Sequence, residues 1–416
     1  AKLLASQTSE NQIEAHHVFL NTQSWDRQEW VKLSSGQWRR IFVPSCGFIA
    51  LEDDSSEMAA EQVKLPFRGI LENEILRIEL NQDGSIKSIY DKEFQREALA
   101  GTSNQLKLWE DEPNNWGAWD INHFYRDTEP HFASEVVLKE SDSYHIQGVL
   151  SCATHQITIG KSILFQKTEL RAGERLIRIT HEVDWQEHHK MLRTHFIPDI
   201  YTDKATFEVQ FGVVKRPVRQ NNSWDKAQFE VPAQRFADLS QPDYGVALIN
   251  DGKYGYRIVE NEMELNLLRS PADVDPLADI HKHTYSYALY PHSGDFEHSD
   301  VVKQAHCFNH GLRECSINNH SASSRCYFSV KSDSVVLETV KPAEKSGGVI
   351  LRLYESTGQT DKCMLQIKLP FSKAYLCNLL EEKIKCIDVT MSENISEYGM
   401  KLDFHPFEIR TILLEP

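Results

Sequence analysis

Apolar residues in this chain recur at alternate positions, in short bursts that run from Val18 to within a few residues of the C-terminus. A period of two matches the β-strand, whose successive side chains point to opposite faces. The bursts VFLNTQSW, EWVKL, WRRIFVP and CGFIAL open the series, each bounded by Ser, Gly, Pro or Asp. From Leu71, ENEILRIELNQDGSIKSIYDKE holds two more around Asn81-Gln82-Asp83-Gly84, and Asp-Gly is a strong hairpin signal. The alternation continues through SYHIQGVLSCATHQITIGKSILFQKTEL, RLIRITHEVDW, MLRTHFIPDI and ATFEVQFGVV, then YGVALIND, MELNLLRS and HTYSYALY. A helical period over these segments would carry Arg or Glu into the core. The expected fold is therefore all-β, a large antiparallel β-sandwich flanked by smaller β-sandwich regions.

At 416 residues the chain exceeds one ordinary core, so two or three domains are expected. Composition shifts divide it into an N-terminal tether and small β region (1–66), a large sandwich (67–308) and a C-terminal sandwich (309–416). The tether is polar as far as residue 17, the acidic segment Glu52–Glu61 reads as a loop or boundary, and Asn309–Ser324, rich in Asn, His and Ser, reads as the second boundary. Beyond it YFSV, VVLETV, GVILRLYE, MLQIKLP, KAYLCNLL and FEIRTILLE suit one small sandwich of about 100 residues. Ala1 opens the chain without Met, as expected of a piece trimmed from something longer.

With 45 basic and 61 acidic residues the net charge is −16, which disfavours nucleic acid and anionic membrane as partners. No apolar run approaches the about 18 residues of a membrane span, and AKLLASQTSENQIEAHH lacks the layout of a signal peptide. The eight cysteines (46, 152, 307, 315, 326, 363, 377 and 386) include no C-x-x-C pair, so no zinc ribbon or redox motif is written here. Scattered in so long a chain, they are expected to be reduced core residues of a cytoplasmic protein. Asn-x-Ser triplets at Asn221, Asn319 and Asn394 are too short a pattern to imply glycosylation.

Three of the eight tryptophans, Trp109, Trp116 and Trp119, fall between Asn104 and Asp127, among Glu110, Asp111, Glu112, Asp120 and Asp127. Gln105, Lys107 and Trp109 alternate with Leu106 and Leu108 as a strand with two unlike faces, which Pro113 and its Asn neighbours stop. A strand-end loop of Trp and Asp suits a sugar, because rings cover its C–H face and carboxylates accept its hydroxyl hydrogens. The same tryptophans would equally fill a core at a strand end.

HEVDWQEHH, at 181–189, places Trp185 where a helical H-E-x-x-H zinc motif needs its second His, and follows a strand; a polar strand end is expected instead. NDGKYGY sets Lys253 and Tyr254 on a turn, and LLRSP ends a strand on Arg269. Such an Arg can clamp a carboxylate or brace a hydroxyl-binding acid, or simply pair locally on a solvated turn. No nucleophile elbow, P-loop or dinucleotide fingerprint is present. Asp111, Asp120, Asp184, Glu187 and Asp251 are candidates for a glycosidase pair, which needs a separation of about 5–5.5 Å in a retaining enzyme, but the sequence singles out no two of them.

The ordered blocks LENEILRIELNQDGSIKSIYDKE, NQLKLWEDEPNNWGAWD, VDWQEHHKMLRTHF, YGVALINDGKYGY, LLRSP, YALYPHSGDF, VVLETVKPAE, LRLYE and HPFEI carry a resemblance. From Val18 to Glu415 the chain resembles the C-terminal half of glycoside hydrolase family 38 α-mannosidases, most of all the cytosolic or vacuolar class. The resemblance implies a retaining, zinc-dependent (or cobalt-dependent) enzyme acting on terminal α-mannosides of oligosaccharides. It puts the metal ligands and the aspartate nucleophile in an N-terminal α/β domain, and the H-x-H-x-D signature of that domain is absent here. It therefore implies no catalytic residue and no metal in this chain, a mutarotase-like supersandwich as the large domain, and loops that help wall the active site. Trp116, Trp119, Asp120, Lys253, Tyr254 and Arg269 match family blocks and are the expected wall. The implied partners are the chain's own catalytic domain and a mannose-containing oligosaccharide, with a homo-oligomer left open. Relatives commonly carry an acid between the two tryptophans, where this chain has Gly117. A stand-alone mutarotase-like epimerase would need a His and a carboxylate in one pocket, and a carbohydrate-binding module an exposed aromatic strip without paired acids.

Overall fold

The Asp83-Gly84 signal marks a real hairpin: Leu76–Leu80 and Ile86–Asp91 pair antiparallel, with Gly84 at φ +75° between them. A Cβ on Gly84 would also stand 3.0 Å from the His155 ring, so this turn needs glycine for both conformation and space. The computed structural model describes residues 17–33, 35–51, 63–113, 115–315, 324–345, 347–391 and 398–416. The tether up to 16, the acidic boundary at 52–61, part of the second boundary (316–323), Asn114, Asn319 and Asn394 lie outside the described residues.

One compact unit comprises 62–210 and 214–309. Its eleven-stranded sheet runs from the edge strand Gly212–Pro217 through Lys204–Val209, Phe236–Ser240, Tyr244–Asn250, Lys282–Ser293, Ile177–Asp184, Ser162–Arg171, Leu150–Ile159 and Tyr144–Ile146 to the opposite edge, Lys64–Pro66. Glu135–Leu138 also pairs with Leu150–Ile159. A five-stranded sheet orders Gln105–Glu110, Lys190–Phe196, Glu262–Arg269, Gly255–Val259 and Val231–Pro232, and a four-stranded sheet carries the hairpin. All three feed one core. Ile78 and Ile89 come from the hairpin, Leu108, Leu192 and Leu265 from the five-stranded sheet, and Ile157, Leu164, Ile179 and Leu248 from the large one. Each such side chain contributes about 1.5–3 kcal/mol when fully buried. These are antiparallel sheets meeting across apolar faces, as the alternation implies.

The second unit comprises the described residues within 17–51, 211–213 and 310–416. Its two principal sheets hold Val335–Pro342, Val349–Glu355, Ile409–Glu415, Lys373–Cys377 and Lys383–Cys386 in one, and Phe328–Lys331, Asp361–Ile367, Tyr398–Phe404 and Thr390–Met391 in the other. The N-terminal strands do not form a region of their own, as the division at 66 supposes. His17–Asn21 pairs with Arg313–Cys315, Gly47–Leu51 pairs with Ser324–Cys326, and Val18 and Phe48 join Leu351, Leu365, Phe404 and Ile412 in one core. A few short strands bury too little apolar surface to stand alone, so they complete a sandwich begun elsewhere in the chain.

Helix is sparse but present. Val301–Asn309, read from sequence as part of a β region, forms an α-helix that buries Val301, Val302, Ala305 and His306. Nine residues are too few for a helical period to show against the surrounding alternation. A shorter helix, Ser223–Ala227, is capped by the Asn222 side chain, which accepts from the Asp225 N–H at 3.0 Å. Among the described residues no helix is long and apolar enough to cross a membrane.

Candidate functional site

The strand Gln105–Glu110 divides its faces as its sequence suggests: Leu106 and Leu108 enter the core, while Lys107 and Trp109 lie on the other side. Trp109 is buried there, edge-on to Tyr125 at 5.3 Å and beside Met191, with the Arg126 guanidinium 5.1 Å above its ring. It packs; it does not face a ligand. Register brings Arg269 into range of the loop that follows, because Trp109 pairs with Met191 and Met191 with Arg269.

Arg269 is the clamp of that loop. Its Nε donates to Asp111 Oδ2, its Nη2 donates to Asp111 Oδ1 at 3.1 Å, and Nη2 also donates to the main-chain oxygen of Asp120. One guanidinium thus fixes both ends of the turn. Within the turn, Trp119 and Asp120 N–H groups donate to the Trp116 oxygen at 2.8 and 3.0 Å, and Trp116 sits at φ +60°. Trp116 and Trp119 are each 69% exposed, with indoles edge to face at 6.1 Å. The Asp120 side chain is exposed as well.

Gly117, between the two tryptophans in sequence, is buried, and a Cβ there would stand 3.2 Å from Asp273 Cβ and 3.7 Å from Pro271 Cβ. An acid at 117 would crowd this contact and set a carboxylate beside that of Asp273. Gly117→Asp is accordingly expected to cost about 1–3 kcal/mol by overpacking. Thermal melts check this, and Asp273→Gly in the same chain, which removes the Cβ in contact, should recover part of the loss.

Lys253 and Tyr254 form a second cluster. Asn250 Oδ1 accepts from Gly252 N–H at 2.7 Å and Lys253 N–H at 2.8 Å, which shapes the turn. The Lys253 ammonium lies 4.5 Å from the centre of the Tyr285 ring, while Tyr254 is exposed. Burial lowers the Lys253 pKa, and Asp279 and Asp251 oppose that shift. Beneath, His181 stacks between Tyr285 at 5.2 Å and Tyr287 at 5.5 Å. Burial, then the Lys253 charge, holds His181 at about 3, so it is neutral at pH 7. His181 is thus core. Trp185, in the run expected to be a polar strand end, is fully buried and donates its indole N–H to Ser270 Oγ at 3.0 Å.

The six expected wall residues therefore fall into two groups. Arg269, Asp120, Trp116 and Trp119 share the clamped turn; Lys253 and Tyr254 stand apart, and among the described residues no hydrogen bond or ring contact joins the groups. Both border the segment 270–281, which lies against Gly117 at Pro271 and Asp273 and interacts with Lys253 at Asp279. Sequence reasoning passed over the far end of this segment, where Asp279, His281 and His283 recur at alternate positions, the spacing that puts side chains on one face of a strand.

The candidate carboxylates have local partners. Asp111 is tied to Arg269, Glu187 accepts from Lys161 N–H and from the Ser162 hydroxyl at 2.9 Å, and Asp251 accepts from Ser286 N–H at 2.8 Å. A charged network that sequence reasoning also missed covers the outer face of the five-stranded sheet. Arg193 meets Glu230 at 2.7 Å and Glu264 at 3.0 Å, while Arg126 reaches both Glu264 oxygens at 2.7 and 2.9 Å. It ties the 3-10 turn His123–Asp127, and with it the segment after the tryptophans, to the sheet.

Residues 71–277 match the family described as "Glycosyl hydrolases family 38 C-terminal domain", and residues 334–412 match "Glycosyl hydrolases family 38 C-terminal beta sandwich domain". The chain is 34% identical to human (Homo sapiens) Alpha-mannosidase 2C1 over 95% of its own length and 39% of that protein. It is 32% identical to the Alpha-mannosidase of Saccharomyces cerevisiae over 78% of its length and 32% of that protein. It thus spans about two fifths or less of these two relatives. A crystal structure of an alpha-mannosidase from Enterococcus faecalis superimposes with a TM-score of 0.71 at 15% identity, covering 100% of this chain and 52% of that one.

Proposed function

The chain belongs to glycoside hydrolase family 38, whose C-terminal domains occupy residues 71–277 and 334–412, and on that premise we propose that it is the non-catalytic β half of a retaining, zinc-dependent α-mannosidase. In this reading it supports a separate catalytic domain and walls a site for terminal α-mannosides of oligosaccharides, in a cytoplasmic enzyme. The observation that carries it is the pair of exposed indoles, Trp116 and Trp119, on a turn whose two ends one partly buried guanidinium holds. Exposed tryptophans on a pinned loop are pre-organised to meet a sugar face without a further ordering cost. Zinc, or cobalt, and the nucleophile would come from the catalytic domain, which leaves this chain to position and enclose. Asp120 offers its exposed carboxylate to a sugar hydroxyl while Arg269 holds its main chain.

The stand-alone epimerase reading needs a His and a carboxylate in one open pocket, and the His292–Asp238 pair, at 2.7 Å, is not such a pair, being closed off at 2% and 0% exposure. The test has two arms. The purified chain, given an aryl α-mannoside with Zn2+ or Co2+, is expected to show no metal-dependent turnover; turnover comparable to a complete enzyme would overturn the non-catalytic reading. In the complete enzyme, Trp116→Ala and Asp120→Asn should each lower kcat/KM by about tenfold or more, equivalent to about 1.4 kcal/mol of transition-state binding, with melting unchanged. Unchanged kinetics in both variants would remove the wall role.

A further inference from the structure

We propose that Asp279, His281 and His283 form a binding site for one divalent transition-metal cation of the zinc or cobalt kind, at the start of the strand Lys282–Ser293. The inference goes beyond the proposed function, because it rests on side chains of this chain alone. One donor atom from each of the three residues lies within 4.8 Å of the others. The two imidazoles stack at 3.9 Å between centroids. Asp279 and His281 are exposed and His283 is half-buried, so an ion can reach them from solvent.

The hydrogen bonds select the free nitrogens. His281 Nδ1 lies 2.9 Å from the Lys282 carbonyl oxygen, and His283 Nε2 lies 2.8 Å from the Asp279 carbonyl oxygen. A carbonyl only accepts, so these two nitrogens carry the protons. The lone pairs are then on His281 Nε2 and His283 Nδ1. A main-chain carbonyl on the second ring nitrogen is the arrangement that orients metal-binding histidines and raises their basicity. The Asp279 carbonyl also accepts from His281 N–H at 2.9 Å, which closes a tight turn around the three residues. Asp279 itself sits at φ +61°, a conformation uncommon outside glycine and Asn or Asp.

Two neutral imidazoles and one carboxylate suit zinc, cobalt or nickel better than magnesium or calcium, which prefer oxygen-only shells. Three protein ligands leave a position for water. Lys253, which interacts with both Asp279 and His283, opposes a cation here and tempers the affinity. A bound ion would fasten the end of the segment 270–281, whose beginning packs against Gly117.

The experiment titrates the chelator-treated 416-residue chain with Co2+, following its visible d–d absorption, and then with Zn2+ by calorimetry. One ion is expected at this site, without the thiolate charge-transfer band that the exposed Cys386 would give. His281→Ala and Asp279→Asn should each weaken binding at least tenfold, whereas His298→Ala, at an exposed histidine paired with Asp295, should leave it unchanged. Zn2+ should also raise the melting temperature of the parent chain and not of the His281 and Asp279 variants. Melts without metal show whether each variant folds, and His281→Gln replaces any that does not. Absence of binding at millimolar ion, or binding that these substitutions leave unaltered, overturns the site.

Discussion

Arg269→Ala should destabilise the unit that contains it by about 3–5 kcal/mol, the cost of leaving a buried charge without its partner. Asp111 is only 1% exposed and Arg269 15%, so water cannot replace the guanidinium at the carboxylate. The same substitution frees the Asp120 carbonyl, so the turn bearing Trp116 and Trp119 loses both anchors at once. Arg269→Lys should fall between the two, because an ammonium keeps the charge but cannot make the two-pronged contact and reach Asp120 as well. Urea and thermal melts measure both. A loss under about 0.5 kcal/mol for Arg269→Ala, the range of ordinary surface changes, would contradict the clamp.

Glu264→Gln is expected to cost a similar amount, about 3–5 kcal/mol, and to change the acid response of the fold. Burial alone would raise the Glu264 carboxyl, but Arg193, Arg126 and Arg257 outweigh it and hold the group below its ordinary value. Glu169 behaves alike: burial opposes ionisation, yet Arg171 and Lys167 bring it from 4.5 down to about 2. A carboxylate depressed in the folded state contributes stability that is complete above its unfolded value. That contribution is lost as pH falls through the folded one. Stability should therefore decline between pH 4.5 and about 2, the span set by Glu169, with Glu264 adding to the decline in the same sense. In Glu264→Gln the slope of melting temperature against pH should be shallower over that span. An unchanged slope would show that the three arginines do not govern this group.

What the sequence made legible was local and periodic. The hairpin at Gly84 and the unlike faces of Gln105–Glu110 follow from the order of side chains along one strand. What it withheld depends on partners. Arg269 and Asp111 stand 158 positions apart, and only the register of two intervening strand pairs brings them together. The union of His17–Asn21 with Arg313–Cys315 is of the same kind, since a strand pattern marks an edge without saying what will pair with it. For the candidate wall, the types and the turn were readable. That Trp109 is core while Trp116 and Trp119 are open was not, because all three carry the same ring and the same acidic neighbours.

The order of the sheets bears on how this chain can meet other copies of itself. An open sheet normally ends in a row of unpaired N–H and C=O groups that another strand can extend. Here the two end strands of the eleven-stranded path, Lys64–Pro66 and Gly212–Pro217, finish in proline, and so does Val231–Pro232 at one border of the five-stranded sheet. Proline offers no N–H to a newcomer. The remaining border, Gln105–Glu110, is occupied where Leu108 and His131 exchange main-chain hydrogen bonds at 2.9 and 2.8 Å. Strand-by-strand growth is thus hindered at these four borders, and Glu135–Leu138, which pairs on one side with Leu150–Ile159 and holds no proline, is left as the flank where a continuous β-ladder could still extend.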